Sequence, residues 1–128
     1  MATTPCVPVL VVDDQPPFRR AARAVLGRMD GFEVVGEAHT GEEAVSLADS
    51  LSPALVLMDI NLPDIDGIEA TRRIVRDHPG TVVVLVSTYR ADNLPDDASS
   101  CGAAAYLHKA DVRAAVLADL WRKSAGAR

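Results

Sequence analysis

A chain of 128 residues with 48% hydrophobic residues, 4% aromatic residues and a net charge of −5 fits one domain whose core is built from Val, Leu, Ile and Ala. The acidic balance argues against nonspecific nucleic-acid binding, which needs a basic face to displace counterions. No apolar run approaches the ~20 residues of a membrane span, MATTPC lacks the basic and apolar regions of a secretory signal, and Cys6 and Cys101 show no CxxC spacing or Cys/His cluster, so a cytoplasmic setting with two reduced thiols is expected.

The first apolar run, Val7–Val12, ends in two adjacent carboxylates, Asp13 and Asp14. Phe18, Ala21, Ala22, Val25, Leu26 and Met29 then recur at helical spacing. Pro16 and Pro17 suit the first turn of that helix, where the amide is unpaired anyway. Phe32–Ala38 reads as the second strand. Thr40, with Glu43 three residues on, predicts a capping box opening a helix with Ala44, Leu47, Ala48 and Leu51 on its apolar face. Ala54–Met58 is the third run, and Asp59 ends it. A loop over Ile60–Asp64 leads to a helix with Ile68, Thr71 and Val75 on one face. That helix stops near His78, because Pro79-Gly80 cannot continue it. Val82–Val86 is the fourth run, with Ser87 at its end. Residues 88–103 carry no clear pattern, and Pro95 confines any helix within 91–100 to a short or irregular one. Ala104–Leu107 reads as a short fifth strand with Lys109 beyond it. Asp111 reads as the cap of a last helix, with Val112, Ala115, Val116 and Leu120 facing inward. Leu117 and Trp121 add an apolar stripe to that helix, read first as packing and second as an interface.

Strand and helix thus alternate, and the strands are continuous apolar runs rather than alternating ones. That pattern belongs to a parallel sheet covered on both faces. In such a sheet ligands bind at the carboxyl ends of the strands, where Asp13, Asp14, Asp59, Ser87 and Lys109 converge. Taken singly, each is ordinary: an Asp after a strand caps or turns, a Ser caps, a Lys is solvated. Together they carry chemistry. Three carboxylates repel one another unless a hard cation holds them. A lysine and a hydroxyl suit the oxygens of a transferring phosphoryl group. Asp13 and Asp14 are therefore expected to anchor a divalent cation beside a nucleophilic Asp59. His39, His78 and His108 are scattered and read as surface residues. Arg72, Arg73 and Arg76 read as a solvated helix face.

The segments VLVVDDQPPF, LVLMDINLPDIDGIEATRRI, VVVLVST and CGAAAYLHKAD resemble the response-regulator receiver domains of two-component signalling, in order and from about Val7 to about Trp121. VGEAHTGEEAVSLA and DGIEATRRI resemble the NarL/FixJ branch in particular. The resemblance implies a flavodoxin-like (βα)5 fold, a doubly wound five-stranded parallel sheet of order 2-1-3-4-5, with residues 1–128 forming a single receiver domain whose core spans about 7–123. It implies that Asp59 is the phosphoacceptor. Mg²⁺ (or Mn²⁺) would be held by Asp14, Asp59 and the backbone carbonyl of Asn61, with Asp13 acting through water. Ser87 would be the switch hydroxyl, Lys109 the phosphoryl-pairing lysine and Tyr106 the mobile aromatic. Asn61 and Tyr89 would flank the path of attacking water and tune the lifetime of the phosphorylated state. The partners implied are a sensor histidine kinase and a second copy on phosphorylation; the face of the fourth helix, fifth strand and fifth helix is the one that phosphorylation would switch to control an output. DNA would be reached only through a LuxR-type helix-turn-helix outside this chain, and no membrane is involved. Thr88 stands where Ala is commonest in the family, Ala110 where Pro is, and Pro95 where its fourth helix runs. A haloacid-dehalogenase-type phosphatase would want an acid at Asn61 and its nucleophile after the first strand. A flavin or dinucleotide module would want a glycine-rich loop where the two acids stand.

Overall fold

The computed structural model of the chain describes residues 6–88 and 100–126. In order they form β1 (Val7–Val12), α1 (Pro16–Gly27), β2 (Phe32–Ala38), α2 (Gly41–Leu51), β3 (Leu55–Asp59), α3 (Gly67–Asp77), β4 (Val82–Ser87), β5 (Ala105–His108), a 3-10 turn (Lys109–Asp111) and α4 (Ala114–Gly126). The strands make one parallel sheet of order β2-β1-β3-β4-β5, as expected. Tyr89, Pro95 and, up to residue 99, the segment 91–100 in which a short helix is expected lie outside the described residues. No helix among those described is long and apolar enough to cross a membrane.

Side chains alternate across a strand, and here both faces are covered. Leu10, Val12, Val56, Met58, Val83 and Leu85 pack with Ala44 and Ala48 of α2 and Ile68, Ala70 and Ile74 of α3. Val9, Val11, Leu55, Leu57, Val84 and Val86 pack on the other side with Ala22 and Leu26 of α1 and Leu117 of α4. Every residue of β3 and β4 is therefore buried, which is why these runs show no polar alternation. Trp121 meets Phe32 edge-on, with ring centroids 6.2 Å apart, so the Leu117/Trp121 stripe is packing.

Four local readings change. Ala21, Ala115 and Leu51 are exposed rather than inward. A methyl group loses little by facing water, so alanine marks a helix face weakly. Asp111 caps no helix: the chain first makes the 3-10 turn, capped by His108, and α4 begins only at Ala114. The box at α2 is shifted. Thr40 Oγ1 accepts the Glu43 N–H at 3.0 Å, but the Glu43 carboxylate takes the N–H of His39, one residue before the cap. Finally, β3 and β4 extend to include Asp59 and Ser87, and β5 runs one residue later than expected.

Candidate functional site

The strands deliver the polar residues to one edge of the sheet. Asp13 follows β1, and its N–H bonds the Ala38 carbonyl at 3.0 Å, carrying the β1–β2 ladder one step further. Its Oδ1 accepts the Gln15 N–H at 2.8 Å, and its backbone carbonyl accepts from Arg19 at 2.6 Å. Arg19 also faces Glu37 at 3.4 Å, so α1, β2 and the loop bearing the two acids are tied together. Asp59 closes β3 beside Val86, and Ser87 closes β4 beside His108. Asp59 Oδ1 accepts the Asn61 N–H at 3.3 Å. Gly67 opens α3 against this turn. Its N–H bonds the Ile60 carbonyl at 2.8 Å, and a Cβ there would drive into the Asp59 backbone oxygen, so glycine is required by close approach. The loop between β3 and α3 is also held from outside: the Asp64 carboxylate accepts the Gly41 N–H at 2.7 Å and the Glu42 N–H at 2.9 Å, capping α2.

Asp13, Asp14 and Asp59 each present a carboxylate oxygen, all within 4.8 Å of one another. Asp13 and Asp59 are buried, whereas Asp14 is exposed. Lys109 Nζ stands 2.7 Å from Asp13 Oδ2, 3.8 Å from Asp59 Oδ2 and 4.8 Å from the centre of the Phe18 ring. Burial and the Asp13 carboxylate push the Asp59 carboxyl up from the ordinary 3.8 to about 6, against the pull of Lys109 and the Asn61 N–H. The carboxylate form still prevails at neutral pH. Among the described residues one ammonium stands against three carboxylates, leaving the cluster in negative excess. Asp13 Oδ2 is buried with the lysine ion pair but no directed hydrogen bond. Clustered hard oxygen donors, one of them open to water, fit a hydrated Mg²⁺ ion.

The structure thus brings together Asp13, Asp14, Asp59 and Lys109. Ser87 lies fully buried at the next step of the edge. Asn61 stands two residues past Asp59 with its side chain exposed. Tyr106 sits within β5 beside Leu85, half-buried against the core shared with α2 and α3, and outside the acidic cluster. The Lys109–Ala110 peptide is trans. Arg72, Arg73 and Arg76 form a charged face as expected, and Arg73 reaches Glu42 of α2 at 3.1 Å. Three supports go beyond the sequence reading. Phe18 lies under the lysine and Arg19 on the Asp13 carbonyl. His108 is not a free surface residue: it is half-buried and bonded through both ring nitrogens, to the Thr88 carbonyl at 3.0 Å and the Ala110 N–H at 3.1 Å. His39 and His78 are outlying, paired with Glu43 and Asp49. The arginine falls one turn after Asp13-Asp14, the only hint the sequence offers for any of the three.

Residues 9–120 match the response regulator receiver domain family. The chain is 45% identical over 101 residues to the response regulator GacA of Pseudomonas protegens, covering 79% of this chain and 47% of that protein. It is 39% identical over 101 residues to the response regulator UvrY of Escherichia coli, covering 79% and 46%. It therefore spans about half the length of these relatives. Among solved structures, a two-component response regulator of the LuxR family from Aurantimonas sp. superposes with a TM-score of 0.79 at 30% identity, covering 90% of this chain and 85% of that one.

Proposed function

The chain belongs to the response regulator receiver domain family of two-component signalling, and from that premise we propose that Asp59 accepts a phosphoryl group from a histidine kinase. The observation that carries this is the lysine: its ammonium bridges Asp13 and Asp59 inside a three-carboxylate cluster at the strand ends. An Asp59 oxygen attacks phosphorus, the P–N bond of the donor phosphohistidine breaks, and its electron pair returns to the imidazole nitrogen. Lys109 offsets charge on one phosphoryl oxygen, and the Ser87 hydroxyl donates to another. Asp14, Asp59 and the Asn61 carbonyl would hold Mg²⁺ (or Mn²⁺), with Asp13 acting through water. When bound, that ion supplies positive charge to the phosphoryl oxygens.

Tyr106 follows Ser87 in the switch, and Asn61 with Tyr89 sets how readily water reaches the phosphoryl group. Residues 1–128 act as a single receiver domain in the cytoplasm. Phosphorylation promotes pairing with a second copy. The control of transcription passes through a LuxR-type output domain. The test is incubation with Mg²⁺ and acetyl phosphate, followed by intact mass spectrometry. Wild type gains one phosphoryl group and Asp59→Asn gains none; equal gains in both overturn the assignment.

A further inference from the structure

Ser87 is the last residue of β4, and Lys109 opens the 3-10 turn that follows β5, so each stands where its strand ends. His108 joins the two exits. An amide can only donate, so the Ala110 N–H requires His108 Nδ1 to accept. A carbonyl can only accept, so the Thr88 oxygen requires Nε2 to donate. Both demands are met by one neutral tautomer, and the ring becomes a bridge. On one side it closes the 3-10 turn that begins at Lys109. On the other it holds the carbonyl of the residue next to Ser87. Lys109 in turn reaches Asp13 and Asp59 from that turn.

We infer that His108 is a positioning residue for phosphoryl transfer at Asp59, tying the chain after Ser87 to the turn that carries Lys109 so that hydroxyl and ammonium are presented as one unit. The inference rests on Asp59 being the phosphoryl acceptor. It makes the bond to Thr88 the part that matters for the reaction and the bond to Ala110 the part that shapes the turn.

Two substitutions separate the bonds. In His108→Gln the side-chain amide lies where Nε2 was and can donate to Thr88. In His108→Asn the shorter side chain lies where Nδ1 was and can serve only Ala110. His108→Leu removes both. Phosphorylation by acetyl phosphate is followed by intact mass spectrometry over a range of donor and Mg²⁺ concentrations, alongside thermal melts. At saturating donor, Leu and Asn should slow modification by about three- to tenfold, the equivalent of one hydrogen bond. Gln should stay within about twofold of wild type, a difference smaller than one such bond. Half-saturating Mg²⁺ should not move, since the three acids are untouched. The rates should follow the rescue pattern and not the melting temperatures. Equal rates in wild type and all three variants overturn the inference, as does a loss in Leu that Gln fails to restore. A wild type that takes up no phosphoryl group overturns instead the reading of Asp59.

Discussion

At Asp59, burial and the Asp13 carboxylate raise the affinity for a proton, Lys109 and the Asn61 N–H lower it, and the first pair wins, taking the carboxyl from 3.8 to about 6. The folded state therefore binds the proton more tightly than the unfolded chain does. Between those two values the folded state carries more protons, so stability falls as pH rises through the window, and the destabilisation is complete above about 6. A shift of this size corresponds to at most about 3 kcal/mol. Other carboxylates contribute to the pH profile, so the informative quantity is the difference from Asp59→Asn. With metal removed by chelator, the variant should match the protonated wild type near pH 4 and be the more stable protein at pH 7. Urea denaturation across that range measures it, and parallel profiles for the two proteins would refute the account. The acids themselves are legible in the sequence because each ends an apolar run. Their supports are not. Phe18 sits at core spacing on its helix, and nothing along the chain says that its ring meets a lysine from the opposite end. His108 looks like a lone surface histidine because its partners come from one adjacent turn and one distant strand end.

Among the elements, α2 shows how the site loop is anchored. The first amides of a helix have no partner within it. Here Thr40 takes one, and Asp64 takes two more from across the molecule. Asp64 thereby fixes the loop that leads away from Asn61. Asp64→Ala should lower stability through the lost cap, read as an earlier urea midpoint with an unchanged slope. An unaltered midpoint would mean that the loop is held by other contacts. Elements of this kind divide cleanly into legible and illegible parts. The strands are legible because full burial forces unbroken Val and Leu runs, as in β4. The start of α2 is legible from Thr40, whose hydroxyl has a local job. The end of β5 and the start of α4 are not. Asp111 carries a cap's chemistry, but a histidine side chain closes the turn before it can act, and the helix begins three residues later. The tether from Asp64 is equally invisible, since it depends on how β1 and β3 lie side by side.

At the scale of the whole molecule, a chain of net charge −5 concentrates three carboxylates at one end of its sheet, and among the described residues one lysine answers them. Two of those acids are buried, so the folded state contains a repulsion that the unfolded chain relieves by spreading the charges into water. A divalent cation that binds only the folded arrangement removes the repulsion and stabilises the fold by mass action. At ten times its dissociation constant it contributes about 1.4 kcal/mol. For a domain of this size that is about 5 °C in melting temperature. Asp14 is the exposed member of the cluster, open to a hydrated ion while contributing little to packing. Asp14→Asn should therefore leave the metal-free melting temperature unchanged or slightly raised and remove most of the Mg²⁺-dependent gain. Raising ionic strength with a monovalent salt should not reproduce that gain, because screening acts weakly on buried pairs. Thermal melts of both proteins over a Mg²⁺ titration, with a matched monovalent series, test this. Equal Mg²⁺ shifts in wild type and Asp14→Asn would place the cation elsewhere on the molecule.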